Sequence, residues 1–380
     1  MRLTLDEPWM RRALALAERG PAVDPNPRVG CVLVAPGDGG EHGEGGTPGE
    51  GGAVGVVVGE GWHEGAGTRH AEAMALDAAG GRARGATAYV TLEPCSHTGR
   101  TGPCADRLIA AGVARVVHAS ADPGVASGGG ADRLRGAGVD VEQGLLVDQA
   151  DELVRDWRVA TLLGRPRVTW KYAATLDGRL AATDGTSQWI TGPAARADVG
   201  RERSRHGAVL TGTGTVLADD PHFTARDGEG TLLTPQPLRV VLGERPLPSH
   251  ARVTDEAAAS LRLTTRDINA ALTELHAREV RSVWLECGPT LAAAFWRAGC
   301  VDDVVAYVAP ALLGAGPSPI ADLGITTITG AHRLALRAVH QVGDDVRLDL
   351  RVPPAHAPTA LPQHLGQRRR GPTDPIKEAP

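Results

Sequence analysis

The stretch TRHAEAMALDAAGGRARGATAYVTLEPCSHTGRTGPC, residues 68–104, decides how this chain is read. It holds His70 and Glu72, then Cys95 in Leu92-Glu93-Pro94-Cys95, then Cys104 in Pro103-Cys104. One imidazole and two thiolates fill three corners of a tetrahedral zinc site and leave the fourth for water. Bound zinc brings the pKa of that water down to about 7, and a carboxylate beside it can carry the protons. Glu72 suits that role without touching the metal. Positions i and i+2 within a regular helix do not share a face. The spacing therefore predicts His70 at the very start of a helix and Glu72 in its first turn. Cys104 stands just before the helix expected over 105–111, where the positive helix end favours a thiolate. Taken singly, His-Ala-Glu is ordinary surface-helix sequence and each cysteine an ordinary small buried residue. A closed structural zinc site would need a fourth protein ligand, for which His97 is the nearest candidate.

Outward from this stretch the first half alternates strand-like and helix-like segments. Val29–Ala35, Val54–Val58, Ala86–Leu92 and Ala114–Ala119 read as strands, and Ala71–Ala79 as a helix. An amphipathic helix is expected within Met1–Gly20, where charges alternate with Trp9, Met10, Ala13, Leu14, Leu16 and Ala17. This is an α/β pattern. Residues 36–52, PGDGGEHGEGGTPGEGG, interrupt it. Too polar to bury a core, they read as a flexible insertion, with His42 solvated rather than a ligand. Composition breaks again at Leu163–Pro166. Beyond it, strands are expected at 167–173, 207–211, 238–242, 282–286, 303–308 and 345–352, and helices at 268–277 and 290–298. After Pro353 the Pro-, Gln- and Arg-rich tail is expected to be disordered. The expected division is 1–163, 164–353 and a tail, 354–380.

The chain has 380 residues, enough for two cores, and only 3% aromatics, so those cores must be built from Ala, Val and Leu. A net charge of −5 lacks the basic footprint of a nucleic-acid binder. No run of 18 apolar residues exists, so no membrane span is expected and a cytoplasmic location is. The cysteines, Cys31, Cys95, Cys104, Cys287 and Cys300, are odd in number, which argues for metal binding or burial over a disulfide framework.

The order His-x-Glu, Pro-Cys, Cys is the signature of zinc nucleobase deaminases. The gap between the cysteines is eight residues, where deaminases of nucleic acid and cytidine usually have two. With that gap, the chain resembles the bifunctional riboflavin-biosynthesis deaminase–reductase family. The matching segments in the first half are Pro25 through Cys31 (PNPRVGC), His70-Ala71-Glu72, Tyr89 through His97 (YVTLEPCSH) and Pro103-Cys104. In the second half they are Thr175 through Gly178, Ser187 through Gly192 (SQWITG), Gly212 through Pro221 (GTGTVLADDP) and Glu286 through Thr290 (ECGPT). The resemblance implies an N-terminal cytidine-deaminase-like α/β/α sandwich and a C-terminal dihydrofolate-reductase-like α/β domain. It implies deamination of a diaminopyrimidinone ribosyl phosphate, then NADPH-dependent reduction of the ribosyl group to ribityl. One Zn2+ per chain would sit on His70, Cys95 and Cys104, with Glu72 catalytic. The resemblance places Ala173, Trp189, Thr215, Asp219 and Gly288, Pro289, Thr290, Leu291, Ala292, Ala293 and Ala294 against NADPH. It places Ser187, Arg203, Phe223, Arg226 and Glu286 against substrate. The partner is a small phosphorylated pyrimidine, without nucleic acid or membrane, and a homo-oligomer is expected. Two departures from the family pattern are the insertion at 36–52 and the short stretch Asp122-Pro123-Gly124-Val125.

Read without the family, the second half says less. Gly212-Thr213-Gly214-Thr215 could admit a phosphate or be a plain turn, and no helix is expected after it, so it is not a dinucleotide fingerprint. Gly288-Pro289-Thr290, between a strand and a helix, suits a phosphate or a simple helix cap. Arg203 and Arg226, with Ser187, are candidates for the substrate phosphate that the resemblance supports; by chemistry alone each arginine reads as a solvated surface residue. Two further readings stand beside the bifunctional one. The second half could be a ligand-binding or dimerising module, or the whole a nucleic-acid base deaminase, against which charge and cysteine gap argue.

Overall fold

The computed structural model describes residues 2–37, 55–97 and 102–353. Most of the insertion read at 36–52, with His42, and the tail 354–380 lie outside the described residues.

The first half runs α1 (Arg2–Ala17), β1 (Gly30–Pro36), β2 (Gly55–Trp62), α2 (Ala71–Ala79), β3 (Thr87–Leu92), α3 (Cys104–Ala110), β4 (Arg115–Ser120), α4 (Gly130–Gly136), β5 (Asp140–Gln143), α5 (Val147–Leu153) and α6 (Arg155–Leu163). Its sheet has the order β2-β1-β3-β4-β5. β1 is antiparallel to both neighbours, while β3, β4 and β5 are parallel. Period-2 alternation builds two cores. Cys31, Leu33, Ala88 and Val90 face α2, α3 and α4. Val32, Val34, Tyr89 and Val117 face α1 and α5. The result is the expected α/β/α sandwich. Glycines bring α2 close to the sheet: a Cβ on Gly59 or Gly61 of β2 would lie 2.1 Å from the Ala75 carbonyl oxygen or 2.3 Å from that of Ala71.

The second half runs β6 (Arg167–Thr175), α7 (Pro193–Ser204), β7 (Ala208–Gly212), α8 (Thr213–Asp219), β8 (Leu238–Leu242), β9 (Ser260–Leu263), α9 (Ile268–Ala277), β10 (Ser282–Glu286), α10 (Pro289–Arg297), β11 (Asp303–Ala309), β12 (Ala335–Val342) and β13 (Asp345–Arg351). Its sheet has the order β12-β13-β11-β6-β10-β7-β8-β9, parallel from β11 to β9. One face packs Val168, Leu210, Val240 and Leu285 on α9 and α10. The other packs Val209, Val241, Trp284 and Tyr307 on α7 and α8.

Several elements depart from what the sequence predicts. A helix, α8, does follow the Gly212-Thr213-Gly214-Thr215 stretch directly, with Gly212 as its N-cap residue. Thr-Gly-Thr-Val has poor helix propensity, and the buried side chain of Val216 holds the turn by packing. α7 and β12 were not expected either. Gly200 inside α7 looks like a helix breaker, but it lets the segment at Arg226 approach: a Cβ there would lie 1.8 Å from the Arg226 carbonyl oxygen. β12 is largely exposed along its length, so it lacks the apolar alternation of a half-buried strand.

The two halves meet along a seam of ion pairs. Arg155 places its Nη1 2.7 Å from an Asp303 carboxylate oxygen, Arg167 pairs with Asp156, and Arg351 places Nη2 2.9 Å from a Glu152 carboxylate oxygen.

Candidate active sites

The first site lies where α2, α3 and the loop after β3 converge. His70 is the N-cap of α2, with extended backbone (φ −70°, ψ 156°), and Glu72 sits in the first turn. Cys104 is the first residue of α3. The ligand atoms of His70, Cys95 and Cys104 all lie within 4.8 Å of one another. His70 Nδ1 is 3.2 Å from Cys104 Sγ and 3.6 Å from Cys95 Sγ. A tetrahedral zinc with ordinary Zn–N and Zn–S bonds would set these edges at about 3.6 Å, so the donor set fits that cation. His97 is not part of the group. Its Nδ1 is buried without a hydrogen-bond partner in the pocket wall, so the described residues offer three ligands rather than a closed set of four.

Electrostatics favour a cation here. The Cys104 thiol first, and His70 after it, draw the Cys95 thiol down to about 4 against the effect of burial. The same bond pushes Cys104 up. The pair thus carries a negative charge readily, and a bound cation deprotonates both. Glu72 is 4% exposed. Burial and then the negative Cys95 push its carboxyl up, which suits a group that must both take and give a proton.

The pocket, about 540 Å³, extends over residues to which the sequence reading gave no role. His63 is buried, with Nδ1 3.1 Å from the Arg69 carbonyl and Nε2 3.2 Å from the Asn26 side-chain nitrogen. The carbonyl can only accept, so Nδ1 carries the proton and Nε2 accepts from Asn26. Glu93 organises another wall. Its carboxylate accepts from the backbone N–H groups of Asp122, Gly129 and Ala131 at 3.1, 3.2 and 2.9 Å. That carries Asp122, raised by burial, to the pocket and wraps the short Asp122–Val125 segment beside Cys95. Nothing in local spacing signals these contacts, which span 29 to 38 residues.

The second site is a cavity of about 830 Å³ beside β6, β10 and α8. It gathers Ala173, Ser187, Trp189, Arg203, Thr215, Asp219, Phe223, Arg226, Glu286, Gly288 and Pro289. Thr290, Leu291 and Ala294 follow in α10 and do not line it, while Ala292 and Ala293 are buried at 1% and 0% exposure. Leu291, Ala292 and Ala294 pack against the core beneath α10 instead of the cavity.

At the centre stands Glu286. Arg203 forks onto it, Nε at 2.6 Å and Nη2 at 2.9 Å, and donates its Nη1 to the Thr224 carbonyl at 3.0 Å. The fork read as a phosphate clamp is thus engaged by a carboxylate. Arg226 lines the cavity and donates Nε to the Thr224 hydroxyl at 2.9 Å and Nη1 to the Gly230 carbonyl at 2.7 Å. Trp284 Nε1 donates to Glu286 at 2.9 Å, and Lys171 Nζ lies 3.6 Å away. Burial alone would push Glu286 up, but Arg203 and Lys171 hold it at about 2. Burial lowers Lys171, with Glu286 opposing. Lys171 escaped the sequence reading, although a lone charge inside the apolar run RVTWKYAAT was its signal. Arg196 escaped it too; its guanidinium lies 4.6 Å over the largely exposed Trp189 ring at the cavity mouth.

Comparison with known proteins fits both halves. Residues 3–120 match the cytidine and deoxycytidylate deaminase zinc-binding region, and residues 166–348 match the RibD C-terminal domain. The chain is 46% identical over 327 residues to the riboflavin biosynthesis protein RibD of Mycobacterium tuberculosis strain H37Rv, covering 86% of this chain and 91% of that one. It is 41% identical to RibD of Escherichia coli K12, covering 91% and 99%. The chain belongs to the RibD family. Two solved structures are similar over nearly the whole length. RibD of Acinetobacter baumannii superposes with a TM-score of 0.79 at 38% identity, covering 92% of this chain and 99% of that one. The Thermotoga maritima diaminohydroxyphosphoribosylaminopyrimidine deaminase/5-amino-6-(5-phosphoribosylamino)uracil reductase superposes with a TM-score of 0.77 at 31% identity, covering 93% and 100%. Like other RibD proteins, this chain is a bifunctional deaminase and reductase of riboflavin biosynthesis, with zinc in its first half and NADPH in its second. No helix among the described residues is long and apolar enough to cross a membrane.

Proposed function

We propose that the first pocket deaminates 2,5-diamino-6-(5-phosphoribosylamino)pyrimidin-4-one and that the second reduces the ribosyl group of the product to ribityl. The observation that carries this reading is the buried Glu72 beside three convergent metal ligands in one pocket. His70, Cys95 and Cys104 hold the zinc, which when bound makes water a nucleophile at neutral pH. Glu72 takes a proton from the attacking water. It returns protons to the ring nitrogen and to the departing amine, so that water replaces ammonia on the ring carbon. Asn26, fixed by His63, and the buried His97 present polar atoms to the pyrimidine.

In the second pocket NADPH, when bound, supplies a hydride. Ala173, Trp189, Thr215, Asp219 and the Gly288–Pro289 turn hold it, and Ser187, Phe223 and Arg226 hold the phosphorylated substrate. Lys171, lowered by burial, is the proton-capable group beside the sugar; Glu286 stays ionised next to it, and Arg203 fixes the Glu286 carboxylate. The function divides at residues 163/164, with the reductase extending to 353. A cytoplasmic homo-oligomer is the fitting assembly, since β12 ends the second sheet with Leu336 and Val339 exposed.

Metal analysis combined with two half-reaction assays tests the whole. One zinc per chain, ammonia release from the diamino substrate and NADPH oxidation with the deaminated substrate are expected. Folded protein without NADPH oxidation would leave the second half a binding or dimerising module.

A further inference from the structure

The deaminase pocket is not built from the first half alone. Glu279, just past α9 in the second half, lines its rim. Glu279 adopts φ 63°, a left-handed conformation that ordinarily favours glycine after a helix. Two residues on, Arg281 donates its Nε to the Pro25 carbonyl at 3.0 Å. Its Nη1 donates to the His276 carbonyl at 3.3 Å, and its own carbonyl accepts from the Arg167 N–H at 2.9 Å. The residue is therefore tied by its backbone to the second sheet and by its Nη1 to α9, while its Nε holds the turn that presents Asn26. That turn has one internal tie, the Asn26 N–H to the Asp24 carboxylate at 2.9 Å, and Asn26 then meets His63. Burial lowers the Arg281 pKa only from a very high value, so the group stays charged at neutral pH.

We propose that Arg281 is a positioning residue for deamination. Held by the reductase half, it fixes the Pro25–Asn26 turn so that the Asn26 side chain meets the substrate. This rests on the assignment of deamination to the His70 pocket. A charge-assisted bond to a peptide carbonyl is a strong tether. Losing it frees a substrate-contacting turn without touching the metal ligands or Glu72. The defect should therefore appear in substrate affinity more than in turnover.

The full-length chain tests this through Arg281→Ala, Arg281→Lys and, as a control, Arg278→Ala, whose side chain pairs with Glu274 on the same turn. In Arg281→Ala the deaminase kcat/KM is expected to fall about tenfold, mainly through KM. Zinc content and NADPH oxidation with the deaminated substrate should stay unchanged. Arg281→Lys should recover part of the loss, and Arg278→Ala should match the parent. The loss should also vanish when Arg281→Ala is made on an Asn26→Ala background, because the turn then has nothing to position. If the alanine variant does not fold, Arg281→Gln carries the same measurements. An unchanged deaminase KM, a parallel fall in reductase activity, a loss of zinc, or additivity with Asn26→Ala would each overturn the proposal. A parent chain that binds zinc but does not deaminate would overturn the pocket assignment and this inference with it. A deaminating parent with an unaffected Arg281→Ala overturns this inference alone.

Discussion

The His70 pocket and the Glu286 pocket hold charge in opposite ways. Around His70, two thiols and a carboxylate crowd a small volume with no lysine or arginine among its described lining residues. The site is short of positive charge, and zinc supplies it. Around Glu286, one buried carboxylate meets Arg203, Lys171 and an indole N–H, so its charges are balanced within the chain. The first arrangement fails when one ligand is lost, because a metal site is all or none. The second should weaken by degrees, since each partner holds only part of the carboxylate.

Breaking the comparison at its sharpest point, Cys104→Ala should lose both zinc and deamination while NADPH oxidation by the second half persists. Near-stoichiometric metal in that variant would refute the three-ligand site. Glu72→Gln should keep zinc and fold, yet lose deamination by about 100- to 10,000-fold, the range for removing a general acid–base. Loss of zinc there would make Glu72 a ligand. Glu286→Gln should cost the reductase about 10- to 100-fold, as expected for a lost hydrogen bond to a charged group, and spare the deaminase. It also carries a pH signature. Burial lowers Lys171 and the Glu286 charge opposes that, so removing the charge lowers Lys171 further. The alkaline limb of the reductase pH profile should therefore move to lower pH; a shift upward would separate Lys171 from the activity. The smallest effect is expected at the rim. Trp189→Ala removes an exposed ring beneath Arg196, and should raise the KM for NADPH a few-fold with kcat unchanged, in line with about 1 kcal/mol for an exposed cation–π contact.

The same contrast governs what could be read in advance. His70, Glu72, Cys95 and Cys104 span 35 residues, and His70 and Cys104 each open a helix, so spacing and local pattern were enough to predict that these side chains converge. The bond from Arg203 to Glu286 spans 83 residues, and no local pattern shows that the guanidinium meets a carboxylate rather than a phosphate. Asn26 and His63 were in view as sequence, but their pairing exists only once β1 and β2 are side by side. α8 was missed because tertiary packing overrode weak propensity. The strands of both sheets were legible where apolar alternation or continuous burial marks them; β5, β9 and β12 bury too little and were not expected.

One feature of the first sheet bears on engineering. β1 and β2 are already in register at Pro36 and Gly55, and β1 is held from its other side by β3 between Cys31 and Val34. The pair is a splice point. What joins those two residues can be trimmed to a tight turn or exchanged for a reporter peptide. The closure cost changes by only about 0.6 kcal/mol for each doubling of length, and the ladder that carries the zinc helix on its face is left as it is.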